Sequence, residues 1–257
     1  MPRSIDQAAQ ARAEFRRLWG VSEPGRPGPS PGRSARDIAR VGMVLADEAG
    51  LGGVTMRAVA ERLGVSAMSL YNQVPGKAEL LEVMLDEASA ETAEGLAQAM
   101  ASLPWPSRAR TVARANWDSF LRHPWMLQLE AYRPVLGPGV MLKYDLELAA
   151  FEGLGLTDPE MDQALGSLLA LVRGCAATAI DADASLRRGD VDDMEWWNAR
   201  RPHLEALGLE KRYPLATRVG TAVGEQEKAP SSPAASLAFG LEAWIAGVER
   251  RLGHASD

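Results

Sequence analysis

The feature that most constrains this chain is the segment from Thr55 to Lys77, whose pattern predicts two short helices joined by a tight corner. The Thr55 hydroxyl can cap the first helix by accepting a hydrogen bond from an amide of its first turn. Gly64 follows the last apolar residue of that helix, where a left-handed backbone conformation favours glycine. Ser66 can cap a second helix, which Pro75-Gly76 ends after about two turns. A helix this short is not a core element in its own right, so the segment indicates a helix-turn-helix unit.

The outward side of this second helix carries small, polar and aromatic side chains. These are Ala67, Met68, Ser69, Tyr71, Asn72 and Gln73, with Ser66 at the start of the helix. Such side chains suit base edges, thymine methyl groups and phosphates. On the preceding helix, Thr55 and Arg57 are placed to contact the phosphate backbone. We therefore expect these residues to form a DNA-binding surface.

The same stretch resembles the DNA-binding domain of the TetR family of transcriptional regulators. The resemblance is carried by Thr55 and Arg57, the corner Ala60…Leu63-Gly64-Val65-Ser66, the pair Leu70-Tyr71, and Val74-Pro75-Gly76-Lys77 followed by Leu80-Leu81. It covers residues 34–85 and implies that Lys77, at the start of the following helix, reaches a DNA phosphate. The alternative interpretation is a helical hairpin packed inside a larger core.

The length of 257 residues allows two modest domains. Few aromatic residues and no alternating runs of Val, Ile and Thr predict an all-α fold. We expect an N-terminal extension with a Pro/Gly-rich linker at residues 1–33, a three-helix DNA-binding domain at 34–85, and a larger helical effector-binding and dimerisation domain at 86–257. In the linker, Arg26 and Arg33 are candidates for a minor-groove contact, and a solvated tether is the alternative.

The net charge of −6 is unusual for a DNA-binding protein until it is divided along the chain. Residues 1–85 hold 11 Lys and Arg against 9 Asp and Glu, a net of +2, and the remainder holds 17 against 25, a net of −8. Any nucleic-acid surface is therefore expected in the N-terminal third.

The single cysteine, Cys175, excludes a disulfide framework and is compatible with a reducing cytoplasm. The N-terminus lacks the apolar core of a secretory signal peptide. The longest apolar stretch, Leu165 to Ile180, contains Arg173 and is too short to span a bilayer. We therefore expect a cytoplasmic protein with no membrane partner.

Residues 105–183 are similar to the C-terminal domain of the tetracycline-repressor branch of the TetR family. The carrying residues are Phe120-Leu121-Arg122-His123-Pro124-Trp125, Arg133-Pro134 and Gly153-Leu154-Gly155-Leu156. This resemblance implies a small-molecule site between the helices. It does not extend to a tetracycline–magnesium ligand, because Leu129 stands where that branch has a metal-coordinating histidine.

Aromatic and polar side chains in this region suit a mostly apolar small-molecule ligand. The candidates are Trp105, Asn116, Trp117, His123, Trp125, Tyr132, Arg133 and Arg173. Asn116 and Trp117 are favoured because the matching helix lines the pocket in the resembled branch.

Two predicted helices near the C-terminus carry long apolar stripes. The residues are Leu165, Leu168, Leu169, Val172 and Ala176 in the first, and Leu237, Leu241, Trp244, Ile245 and Val248 in the second. In the resembled family, two equivalent helices of each subunit form a four-helix dimer interface. Core packing within one subunit is the alternative that the stripes leave open.

The three histidines, His123, His203 and His254, are far apart and lack metal-ligand spacing. No glycine-rich phosphate loop follows a strand, because no strand is evident. We expect no enzyme activity, no metal and no other cofactor.

Together these patterns predict a homodimeric transcriptional repressor that a mostly apolar small molecule releases from a palindromic operator. Two alternatives stay open. One is a DNA-binding regulator gated by a protein partner. The other is a helical enzyme or binding module whose hairpin only resembles the DNA motif.

Overall fold

The computed structural model describes residues 7–20, 34–129, 133–187 and 191–254, and these residues form helices with no strand among them. The all-α prediction is therefore confirmed. Arg26, Arg33 and Tyr132, for which the sequence predicts roles, lie outside the described residues.

The N-terminal extension and the DNA-binding unit contribute α1 (Gln7–Trp19), α2 (Ala35–Gly53), α3 (Met56–Leu63), α4 (Ala67–Tyr71) and α5 (Lys77–Ala93). The remainder contributes α6 (Leu96–Met100), α7 (Trp105–Arg122), α8 (Pro138–Leu148), α9 (Asp158–Arg187), α10 (Asp193–Ala206), α11 (Leu209–Arg212), α12 (Pro214–Glu227) and α13 (Pro233–His254). A 3₁₀ helix, Pro124–Gln128, lies between α7 and α8.

Local signals set both ends of α2. Ser34 Oγ accepts a hydrogen bond from the Asp37 amide at 3.2 Å, and the Asp37 carboxylate accepts one from the Ser34 amide at 3.0 Å, which is a reciprocal capping box. The hydrogen bonds from Ser34 hold the pKa of Asp37 below its ordinary value. Gly50 has a φ of 69° and interrupts the helix where the sequence predicts its end, although helical residues resume as far as Gly53.

The buried apolar residues form two cores. The first is built by α2, α3, α5 and the single inward residue of α4, and it includes Leu18 of α1 and Trp125 and Met126 of the 3₁₀ helix. The second is built by α6, α7, α9 and α13 around Phe151. The 3₁₀ helix therefore belongs by sequence to the C-terminal half and by packing to the DNA-binding unit.

Helix α1 fastens the N-terminal extension to both halves of the chain. Arg17 pairs with Glu82 of α5 at 2.6 Å, and Leu18 is buried in the first core. The Trp19 indole donates a hydrogen bond to the Leu136 carbonyl oxygen at 2.9 Å. Helix α1 is thus a packed element of the fold.

Helices α5 and α8 approach each other closely. Asp86 Oδ1 accepts a hydrogen bond from the Val140 amide at 2.9 Å, which satisfies an amide at the N-terminus of α8. Burial raises the pKa of Asp86 despite this bond. A Cβ at Gly139 would collide with the backbone carbonyl oxygen of Asp86, so glycine is needed where the two backbones meet.

Helices α10, α11 and α12 form an arm that packs mainly on itself, and none of its described residues is buried. Its large exposed apolar side chains are Trp196, Leu207, Tyr213, Leu215 and Val219. The sequence predicts a loop over residues 224–234, whereas α12 continues to Glu227. The predicted helix from Pro138 to Gly153 ends earlier, at Leu148.

By length and composition alone, α9 over Asp158–Ser185 is apolar enough to cross a membrane. The helix is longer than the apolar run that the sequence displays. In the structure, Leu165, Leu168 and Val172 of α9 are buried in the second core. One side of α9 thus packs in the core, and only 22% of its apolar window is buried within the chain.

Candidate nucleic-acid interface and effector cavity

The corner between α3 and α4 has the geometry that the sequence predicts. Thr55 Oγ1 accepts a hydrogen bond from the Ala58 amide at 3.1 Å. Gly64 adopts the left-handed conformation, with φ 66° and ψ 32°, and ends α3. Ser66 Oγ accepts a hydrogen bond from the Ser69 amide at 3.4 Å at the start of α4. These short-range bonds fix the direction of α4 relative to α3.

Helix α4 buries one side chain and presents the others. Leu70 is buried in the first core, whereas Met68 is 74% exposed and Tyr71 is also exposed. Ser66 and Asn72 are exposed as well. The remaining predicted contacts on this helix, Ala67, Ser69 and Gln73, are half-buried. A thioether and a phenol turned to solvent suit contact with a partner outside the chain.

Two exposed cations lie on the helices that precede and follow α4 in the chain. Arg57 of α3 makes no hydrogen bond or ion pair with the described residues. The Nζ of Lys77 donates to the Leu51 carbonyl oxygen at 2.6 Å. This bond holds the Lys77 stem beside the end of α2, and the other protons of the ammonium can still bind an anion. Thr55, at the start of α3, is exposed too.

The other arginines of the described DNA-binding unit are used inside the protein. Arg62 pairs with Glu48 at 2.6 Å, and Arg36 and Arg40 both pair with the buried Glu87. Within residues 34–85, Arg57 and Lys77 are therefore the cations that have no carboxylate partner in the described part of the chain.

A cavity of about 470 Å³ lies between α5, α7, α8, α9 and the 3₁₀ helix. Its apolar lining consists of Leu85, Phe120, Met126, Leu129, Pro134, Val135, Val140, Leu169 and Ala170. This volume and lining are in the range of small-molecule sites. A second hollow, of about 580 Å³, lies between α10 and α12, where the walls belong to the exposed arm. The first cavity is the better ligand site because packed helices surround it.

Two of the predicted effector residues, Asn116 and Arg173, line this cavity. The three tryptophans, Trp105, Trp117 and Trp125, pack in the hydrophobic cores. Arg133 is exposed and is not among the lining residues. The tryptophan assignments are corrected accordingly, because apolar spacing identifies the inward side of a helix and does not distinguish core from cavity.

Two polar residues that line the cavity, Lys143 and Glu147, are not predicted from the sequence. Glu147 of α8 is buried, and its Oε1 accepts hydrogen bonds from Lys143 Nζ at 2.6 Å and from Asn116 Nδ2 at 2.5 Å. Lys143 and Glu147 are one helical turn apart, a spacing that indicates an ion pair. The sequence carries no signal that this pair is inside the protein.

A polar junction joins α2 to the 3₁₀ helix. His123 Nδ1 lies 2.9 Å from Asp47 Oδ1, and its Nε2 lies 3.1 Å from Glu91 Oε2. The Trp125 indole donates to Asp47 Oδ1 at 2.8 Å. Both ring nitrogens of His123 are thus within hydrogen-bond distance of a carboxylate, one on α2 and one on α5. His123 and Trp125 thus hold the two halves together and are not cavity residues.

The predicted dimer stripes need a correction. Leu165, Leu168, Val172, Ala176, Leu241 and Ile245 are buried within one chain. The other stripe residues in the second core, Leu169, Leu237 and Trp244, are partly buried against it, and Val248 is half-buried. The buried residues of the stripes therefore pack α9 against α7 and α13 within one chain, which is the alternative that the pattern leaves open. A dimer contact of the partly buried Leu169, Leu237, Trp244 and Val248 stays a prediction.

Among the described residues, no group of three or more His, Cys, Asp or Glu side chains is placed to hold a metal ion. Burial raises the pKa of the free Cys175 thiol. A raised pKa lowers the thiolate fraction and hence the nucleophilicity of this cysteine.

Known proteins share both parts of this architecture. The family model described as bacterial regulatory proteins, tetR family, matches residues 38–84. The model described as tetracyclin repressor-like, C-terminal domain, matches residues 101–252. The HTH-type transcriptional repressor DrrR1 from Streptomyces coeruleorubidus is 34% identical over 238 residues, which are 90% of this chain and 83% of that protein.

Solved structures agree in fold. A TetR transcriptional regulator from Streptomyces coelicolor has a TM-score of 0.63 and 22% identity, covering 86% of this chain and 97% of that one. The TetR family protein ActR from Streptomyces coelicolor has a TM-score of 0.63 and 20% identity, covering 84% and 96%. The chain belongs to the TetR family of bacterial regulators and is a DNA-binding transcriptional regulator.

Proposed function

We propose that this regulator is a homodimeric repressor that places α4 of each protomer in the major groove of an inverted-repeat operator. The observation that carries this proposal is the exposed side of α4, together with the exposed Arg57 and Lys77 on the neighbouring helices α3 and α5. Side chains of α4 would contact base edges, and the two cations together with Thr55 would contact phosphates. The relative DrrR1 is named a repressor, which favours repression over activation. Such a protein acts on chromosomal DNA, so we place it in the cytoplasm.

The dimer would use the outward side of α9 and α13, opposite the buried stripes. Phe239 of α13 is 80% exposed, and Ala243 beside it is exposed too. On α9, the exposed residues Gly174 and Thr178 are small. Small side chains allow two helices to approach closely, and burial of Phe239 against a second copy would remove a large apolar group from water. A two-fold dimer of this kind matches an inverted-repeat operator.

The second part of the proposal is release by a small molecule in the cavity between α5, α7, α8 and α9. Arg173 lines the cavity and donates to the Leu127 carbonyl oxygen of the 3₁₀ helix at 2.6 Å. The same short helix contacts Asp47 of α2 through Trp125. A ligand that favours one position of the 3₁₀ helix would thereby favour one position of the DNA-binding unit. ActR was solved in complex with (S)-DNPA, which supports ligand control in this family.

Selection of bound sequences from a random duplex DNA pool tests the proposal. We expect an enriched inverted repeat whose half-sites are spaced by the two recognition helices, and a complex that contains two protomers for each operator. Failure to enrich any sequence over the input pool would contradict operator binding. Enrichment of a site without two-fold symmetry would contradict the dimer and leave sequence-specific binding intact.

A further inference from the structure

The effector cavity contains a carboxylate that its apolar lining does not explain. Glu147 lines the cavity and is only 1% exposed. Removing a carboxylate from water is energetically costly, so a buried one needs partners. Its Oε1 has two of them, the Lys143 ammonium at 2.6 Å and the Asn116 amide at 2.5 Å. Asn116 is fixed in turn by a bond to the Val112 carbonyl oxygen at 2.9 Å.

The second oxygen of this carboxylate has no such partners. No described residue donates a hydrogen bond to Glu147 Oε2. Glu147 lines the cavity, so Oε2 is the carboxylate oxygen that is left for a ligand. An ionised oxygen in that position accepts hydrogen bonds and donates none.

The charges around the cavity restrict which donor can bind there. Lys143 and Arg173 line the cavity with Glu147, so these three residues sum to one positive charge. An ammonium group on a ligand would approach Oε2 beside the Lys143 ammonium, and the like charges would repel. A hydroxyl group meets no such repulsion. It can donate to Oε2 and accept from Lys143 at the same time.

Building on the proposed function, we infer that the effector is a mostly apolar molecule without a positive charge, and that its hydroxyl group donates a hydrogen bond to Glu147 Oε2. The cavity of about 470 Å³ is in the range of sites for drug-sized ligands. Phe120, whose ring lies 5.8 Å from the Arg173 guanidinium carbon, offers an aromatic surface to the apolar body. The hydroxyl group fixes the orientation of that body.

Three fluorescent probes of similar size separate the contribution of the apolar body from those of a hydrogen-bond acceptor and a hydrogen-bond donor. Pyrene has no polar group, 1-methoxypyrene only accepts hydrogen bonds, and 1-hydroxypyrene also donates one. We expect the wild-type protein to bind 1-hydroxypyrene about tenfold more tightly than 1-methoxypyrene, which corresponds to the net value of a hydrogen bond to a charged group. Fluorescence titration measures the three dissociation constants.

The variant Glu147→Gln should remove or reverse the preference for 1-hydroxypyrene over 1-methoxypyrene. In this variant the amide oxygen takes the hydrogen bonds from Lys143 and Asn116, so the amide NH₂ replaces Oε2 as the group that faces the cavity. That group donates, and 1-methoxypyrene should then bind at least as tightly as 1-hydroxypyrene. The double variant Lys143→Met/Glu147→Leu removes the polar pair, and it should bind all three probes within about twofold of each other. Circular dichroism checks that each variant is folded. Either variant alone is sufficient to test the inference.

Equal affinity of the wild type for the hydroxy and methoxy probes would overturn the inference, as would an unchanged hydroxyl preference in Glu147→Gln. In both cases, binding of pyrene would still support the cavity as the effector site. Absence of saturable binding for all three probes would contradict both this inference and the proposed release by a small molecule. Operator binding, measured separately by gel shift, would be untouched by that result.

Discussion

The variant Gly139→Ala should lose about 3 kcal/mol of unfolding free energy, near the upper end of the cost of overpacking. The added methyl group would meet the backbone oxygen of Asp86, and it would also lie 3.0 Å from the Ala90 Cβ. A backbone atom cannot turn aside as a flexible side chain can. Helix α8 must therefore move away from α5, and the bond from the Val140 amide to Asp86 lengthens or breaks.

Thermal unfolding measures this loss, and a decrease of about 6–12 °C in Tm is expected for a protein of this size. Gly220→Ala in α12 is the matched control, because a Cβ there meets no atom within 4 Å. Alanine also favours a helix interior over glycine, so the control should unfold at the same temperature or slightly higher. Equal Tm values for Gly139→Ala and the wild type would show that α5 and α8 are not in backbone contact.

The second large effect concerns DNA affinity. Arg57→Ala and Lys77→Ala should each weaken operator binding about tenfold or more at moderate salt, because each removes a phosphate contact from both protomers. The logarithm of the binding constant falls linearly with the logarithm of the salt concentration. Each substitution should reduce the magnitude of this slope by about one unit for every protomer, hence by about two units for the dimer. The loss should be nearly the same for operator and unrelated DNA, because phosphates carry no sequence information.

Arg62→Ala supplies the control for charge. Arg62 lies on α3 with Arg57 but pairs with Glu48, so its removal should change the salt slope by much less. Since Lys77 also donates to the Leu51 carbonyl oxygen, a thermal melt of Lys77→Ala separates lost affinity from lost stability. A salt slope unchanged in both Arg57→Ala and Lys77→Ala would contradict the proposed position of DNA on this surface.

The helix-turn-helix unit can be predicted from sequence because its signals act over short distances. Thr55 and Ser66 each bind an amide three residues ahead, and Gly64 ends its helix through its own backbone conformation. Each of these effects depends on the residue and its immediate neighbours. The same holds for the capping box at Ser34 and for the break at Gly50.

The cavity and the junction depend on residues far apart in the chain. Asn116 and Glu147 are 31 residues apart, and Asp47 and Trp125 are 78 apart. Nothing local distinguishes the Lys143–Glu147 pair from a solvated pair on a helix surface. Only the packing of α8 against α5 and α9, with Asn116 of α7 bonded to Glu147, places the pair inside. The Lys143–Glu147 pair in the cavity could therefore not be found from the sequence.

The dimer surface could not be predicted from the sequence for a different reason. A periodic apolar stripe such as Leu165, Leu168 and Val172 reveals that a helix side is buried, but not whether the same chain covers it. Here the chain covers its own stripe. The side that we propose for the partner carries Gly174, Thr178 and Ala243, whose small size produces a weak periodic signal. Phe239 is its one large apolar residue among those named, and a single exposed aromatic forms no pattern.

The most direct test of DNA contact by α4 is photo-crosslinking from its exposed side. We would replace Met68 with p-benzoylphenylalanine, bind the protein to its selected operator and irradiate the complex. The account predicts a covalent protein–DNA product from position 68, whereas the same amino acid in place of Phe239 should yield a protein–protein product. If position 68 formed no product with a fully bound operator, or if position 239 reacted equally with DNA, the assignment of α4 as the recognition helix would be wrong.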